Sequence, residues 1–234
     1  MLPTPSTSHC NYSHIYEPSE DSYLLLDTLA LPLEILFLSA RFPPATHTPV
    51  VLEVGTGSGV VLAFATKNAS KIFGRPDIAS IGTDVNNFAC TAARQTVGDG
   101  GVDVLQGDLA TPLRKGVVDV LIFNPPYVPT ESLPIPPKAE QSGEWERDSH
   151  LLALSYAGGI DGMETTDRLL TELPHILSDR GVAYILLCAQ NKPEAVVSSI
   201  RAWEGDENWQ AERVSSSGKQ AGWEKLCVIR IWRS

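Results

Sequence analysis

Val50-Val51-Leu52-Glu53-Val54-Gly55-Thr56-Gly57-Ser58-Gly59 is the stretch that decides how this chain folds. A short apolar run that ends abruptly on a glycine-rich turn reads as a buried parallel strand, here 50–54, leaving the core. A helix is expected to follow from about Gly59 to Ala69. The same alternation repeats downstream. Strands are expected at 79–83, ending at Asp84, at 102–106, followed by Gly107-Asp108, and at 118–123, ending at Asn124. A helix over 87–96 separates the first two of these. Farther on come a helix over 165–177, a strand over 181–188, a helix over 193–203, and strands over 209–214 and 226–232. Strands alternating with helices predict an α/β fold, a mostly parallel sheet covered on both faces. The last two strands are separated only by a loop, so an antiparallel C-terminal hairpin is expected, seven strands in all.

Upstream of this core, Pro18 with Glu20 and Asp21 signals a helix start, because acids in a first turn meet the positive end of the helix dipole. Leu24, Leu25, Leu26 and Leu29 are its expected buried face, and Pro32 interrupts or restarts it. Residues 1–15, rich in Pro, Ser and Thr, are expected to be flexible; 41–49 is a loop, and 129–152 an extended, proline-rich loop that reads equally as part of a site mouth or as a disordered surface insertion. With neither internal repeats nor a second composition regime, 16–234 reads as one domain.

The 234 residues carry a net charge of −10, with 43% hydrophobic and 20% charged side chains, an ordinary globular balance. The acidic charge argues against direct adhesion to nucleic acid or anionic membrane. Cys10, Cys90, Cys188 and Cys227 are scattered, no CxxC occurs, and the five histidines lack ligand spacing, so reduced thiols and no metal are expected. The N-terminus has no basic and apolar regions of a signal peptide. A cytoplasmic location, with the nucleus as a second, is the expectation.

In an open α/β sheet, ligands bind beyond the carboxyl ends of the strands. Glu53 and Gly55, Asp84, Asp108 and Asn124 close or follow four strands in succession. Glycines such as Gly55 and Gly57 let a ligand approach the backbone, although GxGxG departs from GxGxxG and also serves as a plain strand-to-helix turn. Asp84 can accept hydrogen bonds from both hydroxyls of a ribose, or cap a helix. Asn124-Pro125-Pro126-Tyr127 is the sharpest feature. Its prolines stop strand pairing and stiffen an extended backbone. The Asn124 side-chain carbonyl and the Pro125 carbonyl are then two fixed acceptors, which suit one NH2 group. Tyr127 can stack on a planar amide or base.

These motifs together resemble the class I, S-adenosylmethionine-dependent N-methyltransferases, whose fold is Rossmann-like and seven-stranded. Tyr16-Glu17-Pro18-Ser19-Glu20-Asp21-Ser22, Ala157-Gly158-Gly159-x-x-Gly162 and Gln220-Ala221-Gly222 narrow the resemblance to HemK-like release-factor glutamine methyltransferases of the eukaryotic branch. About 50 residues precede the glycine turn, too few for the N-terminal helical domain of bacterial relatives.

The resemblance implies S-adenosylmethionine as cofactor and S-adenosylhomocysteine as product. It implies a cofactor site of Tyr16, Glu20, Ser22, Glu53, Gly55, Gly57, Asp84, Val85, Asp108, Leu109 and Asn124. Glu53 and Gly55 would face the methionine end, Asp84 the ribose, and Asp108 with the Leu109 backbone the adenine. Ser22 would close over the cofactor, and Asn124, Pro125, Pro126 and Tyr127 would hold the acceptor. The implied substrate is the GGQ-loop glutamine of the class 1 translation termination factor, alone or with its GTPase partner. The implied partner is a small zinc-binding activator in a heterodimer, near Val85–Ala93 and Val102–Leu105. Alternatives are a DNA adenine-N6 methyltransferase, a protein-lysine methyltransferase, and a non-enzymatic cofactor-binding scaffold.

Overall fold

A computed structural model describes residues 2–98, 102–134, 144–203, 208–217 and 225–234, with the side chains of 144–148 left aside. Gln220-Ala221-Gly222 and residues 135–143 therefore lie outside the described residues. Seven strands form one sheet: β1 (Val50–Val54), β2 (Ala79–Asp84), β3 (Val102–Gln106), β4 (Val118–Phe123), β5 (Leu177–Cys188), β6 (Trp209–Ser216) and β7 (Leu226–Arg233). Their order is β3-β2-β1-β4-β5-β7-β6. The first five run parallel, and β7 is antiparallel to both β5 and β6. The expected hairpin is thus present, with β7 inserted between β5 and β6.

Eight helices accompany the sheet among the described residues: α1 (Glu20–Leu29), α2 (Pro32–Arg41), α3 (Val60–Lys67), α4 (Ala69–Ile72), α5 (Asn87–Val97), α6 (Glu144–Leu154), α7 (Glu164–Ile176) and α8 (Pro193–Arg201). Pro32 restarts the chain as a new helix, bent 59° from α1, because a proline at the first turn sacrifices no hydrogen bond. Neither helix is long and apolar enough to cross a membrane, and the bent pair buries Leu25, Leu26, Leu29 and Leu38 in the protein's own core. Leu24, expected on that buried face, is only partly covered.

Three expectations differ in detail. The stretch 129–152 holds α6 rather than loop throughout. β5 starts at Leu177, directly after α7, where the extended backbone of Leu177 (φ −72°, ψ 141°) ends the helix and opens the strand. Of residues 1–15, expected to be flexible, 9–15 lie along α5: His9 meets the Ala92 carbonyl, Ile15 is buried against Ala89 and Ala92, His14 stacks on Phe88 at 4.4 Å, and Asn86 donates to the His14 carbonyl.

The core lies on both sheet faces. Leu52, Leu121, Phe123, Ala183 and Ile185 pack toward α7 and α8; Val51, Val120, Ile122, Val182 and Tyr184 pack toward α1, α2 and α3. All six residues of β4 are buried, which accounts for the apolar run from Val120 to Phe123, while Asp119 near its amino end is buried with partners. Under α2, Glu34 accepts from the Tyr184 hydroxyl at 2.7 Å and from Arg230 at 2.8 Å, and Arg230 lies 3.8 Å over the Phe37 ring. Removing either ionic partner of such a buried pair costs about 3–5 kcal/mol. At the amino ends of the strands, Asp119 accepts from Val50 N and Arg180, closing that edge of the sheet. The carboxyl ends are left open.

Candidate functional site

The strand order reverses between β1 and β4, and a cavity of about 340 Å³ opens at their carboxyl ends. This is the topological switch point, where open α/β sheets bind ligands. Tyr16, Ser22, Glu53, Gly55, Gly57, Asp84, Val85, Asp108, Leu109, Asn124 and Pro126 all line it. Glu20, Pro125 and Tyr127 are not in the lining. Glu20 is exposed on the first turn of α1, and Pro125 is buried. Tyr127 is buried with its hydroxyl 3.4 Å from Asp21 Oδ2, so the ring packs under the site instead of offering a stacking face.

The glycine turn is built for close approach. Gly55, Gly57 and Gly59 all have positive φ, a backbone L-residues avoid. A Cβ at Gly59 would stand 2.6 Å from Ala93 Cα, so this glycine also sets the contact between α3 and α5. Glu53 Oε2 accepts from the Thr56 hydroxyl at 2.8 Å and from Leu62 N at 3.0 Å. Burial, with the nearby Asp84 charge adding to it, pushes the Glu53 carboxyl up to about 8.

Asp84 accepts from Gly57 N at 2.9 Å and Asn86 N at 2.8 Å, one on each oxygen. Burial raises its pKa, and these backbone N–H groups oppose that rise. A carboxylate has about four lone-pair positions, so each oxygen retains one for a ligand. Two hydroxyls of one ribose match that pair. Leu109, with φ of 51°, is a non-glycine residue in the left-handed region, a strain that functional turns commonly hold. Asp108 is half-exposed and ion-paired with Arg168 of α7, which also lines the cavity.

Asn124 Oδ1 is buried without a hydrogen-bond partner among the described residues. An orphaned buried acceptor costs about 1–3 kcal/mol, so its retention points to a donor that arrives with a ligand. It sits in the lining beside Phe123 and Pro126, as the sequence places it at the end of β4. Asp84 with two spare lone pairs, the open glycine turn and this orphaned acceptor fit an adenosyl cofactor and an NH2-bearing acceptor side by side.

Of the two readings of 129–152, a site mouth or a surface insertion, the lining favours the first. Leu133, Pro134, Leu151, Leu154 and Ser155 line the cavity, so the stretch after the Asn-Pro-Pro-Tyr turn is part of its mouth. Asp21 Oδ1 accepts from Ser22 N at 2.5 Å and from the Ser22 hydroxyl at 3.2 Å, tying α1 to the site. A carboxylate, an acid in a helix first turn, was readable as a dipole partner; its tie to Tyr127 depends on a contact 106 residues away. Among the described residues no cluster of His, Cys, Asp or Glu could hold a metal ion.

A seven-stranded sheet of this order with ligand-facing groups at these strand ends defines a class I methyltransferase. No family model matches the chain. It is 33% identical over 246 residues to the eRF1 methyltransferase catalytic subunit mtq2 of Schizosaccharomyces pombe, covering 100% of this chain and 96% of that protein. It is 34% identical to Methyltransferase HEMK2 of Mus musculus, covering 100% and 98%. The ribosomal protein L11 methylase of Lactobacillus delbrueckii subsp. bulgaricus shares the fold, with a TM-score of 0.51 at 14% identity over 94% of this chain and 82% of that one. The chain belongs to the HemK-like methyltransferase family that includes mtq2 and HEMK2.

Proposed function

We propose that the protein transfers a methyl group from S-adenosylmethionine to the side-chain amide of the GGQ-loop glutamine in the class 1 translation termination factor. The observation that carries this is the orphaned Asn124 Oδ1 in the lining of a cavity that also holds Asp84 and the glycine turn. The full-length similarity to an eRF1 methyltransferase catalytic subunit supports the choice of substrate.

When bound, the cofactor supplies an electrophilic methyl group. The chain's own residues bind and orient. Asp84 holds ribose hydroxyls with the lone pairs that Gly57 and Asn86 leave open. Asn124 takes a hydrogen of the acceptor NH2 on Oδ1, turning the nitrogen toward the cavity. The positive charge that would develop on that nitrogen as it gains the methyl group and S-adenosylhomocysteine leaves is stabilised by the carbonyl dipole without reorganising, and it is discharged when the nitrogen releases one of its two protons to water. Leu133, Pro134, Leu151 and Leu154 make an apolar mouth that limits water around the amide. Fixing two reactants in this way is worth up to about 7–11 kcal/mol of barrier.

For the partner, we read the exposed β3 edge as the seat of a small zinc-binding activator. β3 is the terminal strand of the sheet, and Val85, Phe88 and Leu105 are exposed around it. Such an edge invites added strands, and apolar residues beside it favour a permanent cover. The termination factor is then recruited alone or with its GTPase partner, in the cytoplasm. The net charge of −10 suits a basic surface around the acceptor loop.

The test is label transfer with the activator present, offering the termination factor, its loop Gln→Ala variant, and DNA. Label on the factor alone is expected. Equal label on the Gln→Ala variant would overturn the assignment.

A further inference from the structure

Asn191, just past β5, does not line the cavity, and it meets the Asn124–Tyr127 turn only through the Tyr127 backbone carbonyl. It is 2% exposed and its amide is fully used. Oδ1 accepts from Cys188 N at 2.7 Å. Nδ2 donates to the Tyr127 carbonyl at 3.0 Å and to the Asp161 carbonyl at 2.9 Å. One NH2 with two hydrogens thus joins two carbonyls, one of them from the Asn124–Tyr127 turn.

The segment 156–162 grips the same turn from its other side. Val128 N donates to the Tyr156 carbonyl at 3.0 Å, and Gly158 N donates to the Val128 carbonyl at 2.8 Å. A Cβ on Gly158 would lie 2.4 Å from the Pro126 carbonyl oxygen. A Cβ on Gly162 would lie 2.0 Å from the Tyr127 carbonyl oxygen and 2.6 Å from Asn191 Nδ2. Asp161 and Lys192, both non-glycine, hold positive φ on either side of this clasp. Two left-handed residues beside a saturated buried amide indicate a backbone geometry held against its local preference.

We propose that Asn191 is a positioning residue for methyl transfer: it fixes the Tyr127 carbonyl, and with it the aim of Asn124 Oδ1 three residues upstream. This rests on the functional reading above for its kinetic consequence, but not for its structural one. The substitution Asn191→Asp keeps the shape and the acceptor for Cys188 N while placing an oxygen where the NH2 stood. Ionised, that oxygen repels the Tyr127 and Asp161 carbonyls. Protonated, it donates to one of them. A buried carboxyl among carbonyls holds its proton to higher pH than an exposed one, so lowering the pH restores a donor. Among the described residues, the charged groups beside this clasp are Asp161 and Lys192, paired at 2.8 Å, and Glu164, whose Oε1 takes the Ile160 N–H at 3.0 Å; the Cys188 thiol, 3.9 Å from the Tyr127 carbonyl, is a further titratable group in contact.

The experiment compares Asn191→Asp with wild type from pH 6 to pH 8. It measures turnover with the termination factor, cofactor affinity by calorimetry, and hydrogen exchange of the Tyr127 and Val128 amides. The turnover ratio of variant to wild type is expected to fall about tenfold at pH 8, one hydrogen bond's worth, and to recover toward pH 6. Cofactor affinity should stay within about threefold, since Asn191 lies outside the cavity. The two amides should exchange faster than wild type at pH 8 and at the wild-type rate at pH 6. A pH-independent ratio, or a loss confined to cofactor affinity, would overturn the proposal. If wild type itself leaves the factor unmodified, the functional reading fails, and the hydrogen exchange still decides the role of Asn191: unchanged protection at pH 8 sinks it. Should Asn191→Asp fail to fold, read from its thermal midpoint, Asn191→Ser takes its place at a single pH: with cofactor affinity within about threefold, the Val128 amide should exchange faster than in wild type, and wild-type protection there would overturn the proposal.

Discussion

Replacing Asn124 by alanine separates catalysis from stability more sharply than any other substitution in the site. Its Oδ1 is buried and has no partner among the described residues, so truncation breaks no bond at that atom. It removes an unsatisfied acceptor worth about 1–3 kcal/mol of penalty, which offsets the packing lost from a side chain that is only partly buried. Unfolding free energy is therefore expected to change by less than about 1 kcal/mol, in either direction. The rate is another matter. A single preorganised dipole aimed at developing charge in a water-poor site contributes about 10²–10³ in turnover, roughly 2.7–4 kcal/mol. The expected result for Asn124→Ala is a loss of that size in single-turnover methyl transfer, with cofactor affinity within about tenfold and an unchanged thermal midpoint. Turnover within threefold of wild type would refute the reasoning, and so would a fall in stability large enough to account for the lost rate.

Three further outcomes follow from the same geometry. Asp84→Ala removes the acceptor of two ligand hydroxyls and strands Gly57 N and Asn86 N; cofactor affinity by calorimetry is expected to drop at least about tenfold, and unchanged affinity would count against the ribose role. Glu53, held up to about 8 against an ordinary 4.5, keeps its proton in the folded state where the unfolded chain has lost it. Its contribution is complete below the unfolded value and is lost as pH rises through the folded one, so Glu53→Gln should gain stability over wild type at pH 8 and much less at pH 5, read from unfolding at both. On the β3 edge, Leu105→Asp should raise the solubility of the chain expressed alone and weaken its complex with the activator; equal complex formation would remove that edge from the interface.

Much of the site was readable because strand periodicity and polar strand ends are local signals. An apolar run stopping at Glu53-Val54-Gly55, at Asp84 or at Asn124 places its last residue at a carboxyl edge whatever surrounds it, and each of these lines the cavity. The order of strands is less local, yet helices between strands leave few topologies. What sequence reading could not supply are contacts made by distant segments. Arg168 faces Asp108 across 60 residues, and Asn191 meets the Tyr127 carbonyl across 64. Tyr127 shows the same limit: an aromatic ring after a Pro-Pro turn can point either way, and here its hydroxyl donates to Asp21 Oδ2 at 3.4 Å. The packing of residues 9–15 against α5 is equally tertiary, because their composition predicts no regular structure and they form none. Asp119 shows the converse, an acid at the amino end of β4 that knits the opposite edge of the sheet and faces no ligand.

The proposed reaction at this site is methylation of the nitrogen of a neutral side-chain amide. Its most direct test is mass mapping of the termination factor after incubation with the chain, its activator and S-adenosylmethionine. A single methyl group is expected on the side-chain nitrogen of the GGQ-loop glutamine, absent when Asn124→Ala replaces the wild type. A methyl group carried by a lysine, or by any residue outside that loop while the glutamine stays unmodified, would contradict it.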